Sequence, residues 1–353
     1  MTGETSAVKN GVAPAAAGGA TGGSAGEAPL GLLVMAYGTP QSLDEVEPYY
    51  THIRRGRRPT PELLQELIER YRAIGGRSPL HEITEEQARR LAARLSERLG
   101  RPVQPFVGYL HIAPFIAEAV DRLVAAGVER AVGLVMAPQY SAASVALYLN
   151  DAREALARYE RAPAVTYIDH FHDHPGFVAC LARRVRDTLE QVPAEIRPRV
   201  EVIFTAHSIP QHVIDRGDPY ARHVEETAER VARAAGLDRW HVAYQSAGRT
   251  SDVWIGPDVG DVIRELAGRG AAGVVVCPAG FVADHLEVLY DIDIECKQIA
   301  EELGIYLART PSLNAADDFI DVLVDLVMDR LGETRHEAAA SGGAPTGEGE
   351  PGR

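Results

Sequence analysis

Residues 273–296 read GVVVCPAGFVADHLEVLYDIDIEC, and the fold follows from how this stretch is parsed. Gly273 to Cys277 is an apolar run too short for a helix and closed by Pro278, the pattern of a strand buried on both faces. Beyond it the spacing predicts a helix. On that helix Asp284, Glu287, Asp291 and Glu295 recur at three- and four-residue steps and share a face, while Leu286, Leu289 and Tyr290 are left to bury it. Like charges so spaced repel, so the row demands a cation, an arginine or a shared proton. A solvated acidic face is the ordinary fate of such a row. Its start directly beyond a buried strand, where open α/β sheets place their ligands, favours a metal- or proton-handling site instead.

Working outward, apolar runs alternate with helix-period stretches, the signature of parallel α/β architecture. Strands are predicted at 31–36, 105–109, 131–137, 165–168, 200–204, 242–245 and 273–277. Helices are predicted at 61–73, 84–99, 116–126, 141–157, 177–189, 220–235, 259–267 and 320–331, and Ser42 with Glu45 has the spacing of a capping box. Each half opens with a strand running into a polar loop ending in proline (AYGTP from Ala36, TAHSIP from Thr205). Each later has a strand closed by proline (VGLVMAP, GVVVCP). This weak pseudo-repeat suggests two Rossmann-like domains, at 29–163 and 164–312, followed by a helix over 313–332. The segments 1–28 and 333–353 are rich in Gly, Ala, Ser and Thr, hold too few large apolar side chains to offset ordering entropy, and are expected to be disordered tails.

The 353 residues suffice for two domains, and 46% hydrophobic with 24% charged residues is a globular balance. A net charge of −14 argues against nucleic acid as the main partner. No apolar run approaches the ~20 residues of a membrane helix, and no convincing signal peptide opens the chain. Cys180, Cys277 and Cys296 are far apart and form no Cys-x-x-Cys pair, which disfavours a disulfide framework, a zinc site and an iron–sulfur cluster. The expected compartment is the cytoplasm, and a monomer is expected.

There is no Gly-x-Gly-x-x-Gly after the first strand and no phosphate-binding glycine loop, so a nucleotide cofactor is not expected. Thr39 and Ser208 lie in strand-exit loops without the strained context of a hydrolase nucleophile. His207 directly follows a buried strand, which places its imidazole at a crevice rim. A lone histidine is more often structural, yet this position favours proton or metal chemistry. Glu287 takes the matching place in the next unit. One His and one Glu facing each other across a cleft would suit a metal that is held briefly and released. Asp284 and His285 are open to a site role or to orienting the helix start. Arg54, Arg55, Arg57 and Arg58, with Arg70 and Arg77 beyond, form either a solvated face or a carboxylate-binding knot, the second favoured in so acidic a chain.

AYGTP, THIRRGR, RYRAIGGRSPL, TAHSIP, GDPY, QSAGRT, GPDV and above all GFVADHLEVLYDIDIEC resemble the ferrochelatase family, from about Leu30 to Leu331. The resemblance is strongest to the coproporphyrin type of Gram-positive and actinobacterial proteins. It implies two Rossmann-like domains with parallel sheets and a porphyrin cleft between them. It also implies a lyase that inserts Fe2+ into coproporphyrin III to form coproheme in haem biosynthesis, with a decarboxylase as possible recipient. By the same resemblance His207 and Glu287 handle iron and the pyrrole protons, and Tyr37 falls where the coproporphyrin type carries a ligand to the product's iron. Arg54, Arg70, Tyr71, Ser78 and Tyr148 match porphyrin-contacting positions, and Asp291 with Glu295 an outer metal site. Iron is then a substrate, no cofactor is permanently bound, and no iron–sulfur cluster is expected. The alternatives are a non-enzymatic tetrapyrrole or haem carrier, a protoporphyrin IX ferrochelatase and, less well matched, a cobalt chelatase.

Overall fold

The computed structural model describes residues 29–341; segment 1–28 and residues 342–353 of the tails lie outside them. The first half runs β1 (Leu30–Ala36), α1 (Val46–Ile53), α2 (Pro61–Ala73), α3 (Leu80–Leu99), β2 (Val103–Tyr109), α4 (Ile116–Ala125), β3 (Arg130–Val135), α5 (Val145–Leu156) and β4 (Ala164–Ile168). The second runs α6 (Pro175–Gln191), β5 (Val200–His207), α7 (Gln211–Asp215), α8 (Tyr220–Ala235), β6 (Trp240–Gln245), α9 (Val259–Gly268) and β7 (Gly273–Cys277). A π-helix (Val288–Cys296), α10 (Lys297–Glu302), β8 (Tyr306–Arg309) and α11 (Asp317–Ser341) complete it.

Two four-stranded parallel sheets result, ordered β2-β1-β3-β4 and β6-β5-β7-β8. The two orders are the same permutation. AYGTP and TAHSIP therefore leave equivalent strands, β1 and β5, and the two proline-closed strands are β3 and β7. The pseudo-repeat in the sequence is a repeat of topology. β4 pairs with β3, Ala164 opposite Arg130. The expected boundary at 163/164 therefore lies at the start of β4, a strand of the first sheet.

The inner strands β1, β3 and β7 are almost wholly apolar because helices cover both sheet faces. With a period of two, β1 sends Leu32 and Val34 into one core and Leu33 and Met35 into another. β7 divides likewise, Val275 and Cys277 against Val274 and Val276. The inner core is common to both halves: β1 and β3 contribute to it, as do β5 and β7, together with α3, α6, α8 and α11. The chain crosses over to build it. α6 packs on α8 and β7, and α11 returns to pack on α3, β3 and β4.

Three local expectations change. The capping box does not form, because Leu43–Glu45 is a 3-10 turn; Ser42 caps nothing and Glu45 accepts the Gln41 backbone N–H at 2.8 Å. α11 continues to Ser341, ten residues past the Leu331 at which its apolar period was expected to end. The helix expected from 280 starts only at Leu286 and becomes a π-helix at Val288.

Candidate active site

In each sheet the chain adds its second strand on one side of the first and its third on the other. Ligands gather at such switch points. The loops leaving β1, β3, β5 and β7 all open into one cleft of about 520 Å3, within the range of small-molecule sites. β1 supplies Tyr37 and Thr39, β3 Met136 and Gln139, β5 His207 and Ser208, and β7 the segment from Gly280 to Glu287. Side chains of α1 and α2, among them Tyr49, Ile53, Leu63, Leu67 and Tyr71, make an apolar wall. Gly280 lets the β7 loop cross the end of β5: a Cβ there would meet the Ala206 Cβ at 2.6 Å, and its N–H donates to the Thr205 carbonyl at 2.9 Å.

His207 ends β5. Its Nδ1–H donates to the Ser208 carbonyl in a short hydrogen bond, so the proton that comes and goes is on Nε2. Nε2 faces Glu287 Oε1 at 3.5 Å, and Glu287 Oε2 lies 3.6 Å from His285 Nε2. Burial alone would lower His207, but the Glu287 charge outweighs it and holds the imidazole at about 9. Burial likewise opposes the Glu287 charge, and the two histidines overcome it, keeping the carboxylate well below its usual range. At neutral pH this is an imidazolium–carboxylate pair. Both members belong to the second half and sit side by side, rather than facing each other across the cleft as expected. Their backbones are fixed from behind. Tyr220 donates its hydroxyl to the His207 carbonyl at 2.8 Å, and Gln245 Nε2 donates to the Glu287 carbonyl at 2.9 Å. Gln245 is itself held by Thr205, whose hydroxyl donates to Oε1 at 2.8 Å.

Below Glu287 the π-helix explains the acidic row. On an α-helix, residues four apart drift by about 40° around the axis. The wider turn of i→i+5 bonding brings Glu287, Asp291 and Glu295 closer to one column, beside the buried column Val288, Ile292 and Cys296. The column is met by an arginine: Arg70 of α2 lies 3.5 Å from Asp291, 3.6 Å from Glu295 and 3.6 Å from Glu66. Asp291 is also bonded by the Ser246 hydroxyl in a short contact, and Ser246 adopts φ +59 to present it. Burial, with Glu287 nearby, pushes Asp291 up to about 6 against the pull of Ser246 and Arg70. Asp284 is off the helix and structural. It accepts from Arg309 at 3.2 Å, Ser312 at 2.7 Å and Asn314 at 2.8 Å.

Of the residues singled out in the sequence, Tyr37, Arg70, Tyr71, Tyr148, His207 and Glu287 line the cleft. Tyr37 stands 39% exposed with its ring edge against His111. Asp291 and Glu295 lie behind the wall and are engaged by Arg70. Two residues are placed elsewhere. Ser78 is fully buried just ahead of α3, its hydroxyl accepting from the Leu80 N–H at 3.3 Å. Arg54 is off the lining, with its guanidinium over the Tyr50 ring at 5.6 Å. Among the described residues no group of three or more His, Cys, Asp or Glu side chains is placed to hold a metal ion. Gln245 and Arg249 escaped the sequence reading, and His285 was left undecided. The motif QSAGRT was the available signal for the first two, as another loop leaving a strand end.

Paired parallel sheets whose switch points share one cleft, with a His–Glu pair at the strand ends, define a two-sheet α/β protein with a ligand site at its strand ends. The solved structures agree on the fold. The sirohydrochlorin chelatase SirB from Bacillus subtilis subspecies spizizenii in complex with cobalt is similar with a TM-score of 0.52 at 12% identity, over 86% of this chain and 95% of that one. SirB from Bacillus subtilis with Fe3+ gives 0.55 at 13%, over 87% and 98%. A profile of the ferrochelatase family matches residues 29–331. The coproporphyrin III ferrochelatase of Geobacillus kaustophilus is 47% identical over 311 residues, 87% of this chain and 98% of the relative. That of Anoxybacillus flavithermus is 45% identical over 304 residues, 86% and 96%. The ferrochelatase of Thermus thermophilus is 47% identical over 314 residues, 84% and 98%. The chain belongs to the ferrochelatase family, and thus to the metal-insertion lyases.

Proposed function

We propose that the protein inserts Fe2+ into coproporphyrin III to form coproheme. The observation that carries the reading is the His207–Glu287 pair on the wall of an apolar cleft, in a chain whose similar relatives bear that activity in their names. Insertion exchanges two pyrrole N–H bonds for metal–nitrogen bonds and releases two protons. The ring fills the cleft with His207 and Glu287 on the side of the second half and Tyr37 on the side of the first. As the dication approaches Glu287, its charge replaces that of the imidazolium as the partner of the carboxylate. His207 then sheds its Nε2 proton to solvent and, neutral, accepts one pyrrole proton, passes it to solvent and accepts the second in the same way. Binding at apolar wall and carboxylate arms supplies the energy to bend the ring and expose its lone pairs. Tyr37 would serve as a ligand to the iron of the product. The outer carboxylates Asp291 and Glu295, held by Arg70, steer the metal on its way in.

Iron is substrate only, and no cluster is bound; Cys180, Cys277 and Cys296 are buried and lie on separate elements. No described helix is long and apolar enough to cross a membrane. A monomer working in the cytoplasm and handing coproheme to a decarboxylase completes the reading.

The test is anaerobic Fe2+ insertion followed by absorbance, with coproporphyrin III and protoporphyrin IX offered separately. Faster turnover of coproporphyrin is expected. A preference for protoporphyrin would remove the role given to Tyr37, and binding of either without insertion would make the protein a carrier.

A further inference from the structure

Among the described residues, the guanidinium groups that line the cleft are those of Arg70 and Arg249. Arg70 is committed to three carboxylates and lies over the Tyr290 ring at 4.8 Å. Arg249 is in a different position. It sits in the loop between β6 and α9, and its one ion-pair partner among the described residues is Glu66 of α2, on the first half. The contact is a fork: Nη1 meets Glu66 Oε2 and Nη2 meets Oε1. Glu66 lines the cleft as well. The side chain of Arg249 is 57% exposed.

A planar guanidinium donating two parallel bonds to a carboxylate is the geometry by which arginine recognises carboxylates in general. Here an internal carboxylate occupies that geometry at the edge of a cleft meant for a ring bearing carboxylate arms. An exposed pair of this kind contributes little to stability because water competes for both partners. An arm tethered to a ring already seated in the cleft arrives at high effective concentration and competes well for the fork. Resting on the coproporphyrin reading above, we propose that Arg249 is a recognition residue for a carboxylate arm of the substrate, with Glu66 as a stand-in that the arm displaces. Displacement also unties α2 from the β6–α9 loop, so seating the substrate loosens a link between the halves.

The two partners then differ in sign. In a merely structural ion pair, loss of either member has the same effect on binding. In an exchange, loss of Arg249 removes the anchor while loss of Glu66 removes its competitor and a repelling charge. Kd for coproporphyrin III is measured by porphyrin fluorescence on the full chain, with circular dichroism as the check of folding. Arg249→Gln is expected to weaken binding about tenfold, Arg249→Lys to recover part of the loss through charge alone, and Glu66→Gln to tighten binding about threefold. Shifts of the same sign in Arg249→Gln and Glu66→Gln, or none in either while the unaltered protein binds, would overturn the proposal. Failure of the unaltered protein to bind coproporphyrin III would overturn the reading beneath it, and the proposal with it.

Discussion

The two nitrogens of His207 carry separate duties. Nδ1 is spent on the Ser208 carbonyl, which sets the ring plane, while Nε2 is left to Glu287 and to the cleft. A methyl group at this position keeps the apolar wall and the arginines but removes the proton acceptor. His207→Ala is therefore expected to lower iron insertion by about 10²-fold or more while porphyrin affinity stays within a few-fold, measured by anaerobic turnover beside fluorescence titration. Retained turnover would end the proton role. Glu287→Gln should fall nearly as far, since it takes away the charge that an incoming dication meets. His207 and Glu287 were legible in the sequence because each follows a buried strand, and strand ends can be found from apolar runs and prolines alone; Tyr37 was singled out by the family resemblance. Gln245 and Arg249 were not legible. What they do depends on which carbonyl or carboxylate their long side chains reach, and no periodicity encodes that. Ser78 shows the converse: its place in a motif says nothing about which side of a helix start its hydroxyl faces.

At the scale of elements, the seven expected strands all occur and two helices, α2 and α8, keep their expected ends. The strand not foreseen is β8. Its residues Tyr306–Arg309 are each only half-buried at a sheet edge, so no continuous apolar run marks it. The π-helix shows a subtler limit. Acidic residues at 287, 291 and 295 beside apolar ones at 288, 292 and 296 keep a strict step of four, which an α-helix would let drift; counting Asp284 with them gives the mixed three- and four-residue steps that suit an ordinary helix face. α11 depends on a different device. Asp318 pairs with the buried Arg184 at 2.8 and 3.2 Å and with Arg183 at 2.5 Å. Burial would raise this carboxyl, but its bonds to Arg184 and Cys180 hold it down at about 2. A folded value below the unfolded value of about 3.9 means that the stabilisation is complete above about pH 5 and is lost as the pH falls towards 2. Asp318→Asn leaves Arg184 buried without its counter-charge and should cost roughly 3–5 kcal/mol at pH 7. The gap between variant and parent should shrink steadily in denaturant titrations taken down to pH 3. A gap independent of pH would show that the pair contributes no linkage.

For the molecule as a whole, two similar sheets invite a description as two independent domains, and the packing argues otherwise. The inner faces of both sheets drain into one core, and the helices that fill it are exchanged: α6 follows a strand of the first sheet yet covers the second, and α11 does the reverse. Polar bonds also join the halves. Gln139 Nε2 donates to the Ala279 carbonyl at 3.2 Å, and Asp218 accepts from the Ser141 hydroxyl at 3.1 Å and from the Ala142 N–H at 2.6 Å. Neither half can unfold without exposing apolar surface of the other, so the chain should melt as one unit despite its length. The two tryptophans make this measurable, because Trp240 and Trp254 both belong to the second half. Tryptophan fluorescence reports on that half alone, whereas far-ultraviolet circular dichroism reports on the helices of both. In equilibrium denaturant unfolding the two signals are expected to fall on one curve with one midpoint. If the fluorescence transition ran ahead of or behind the circular dichroism, the halves would be separable domains. The cleft would then be a hinge between two bodies instead of a slot in one, and the loosening proposed for the Glu66–Arg249 link would open the site by domain motion rather than by rearrangement at its rim.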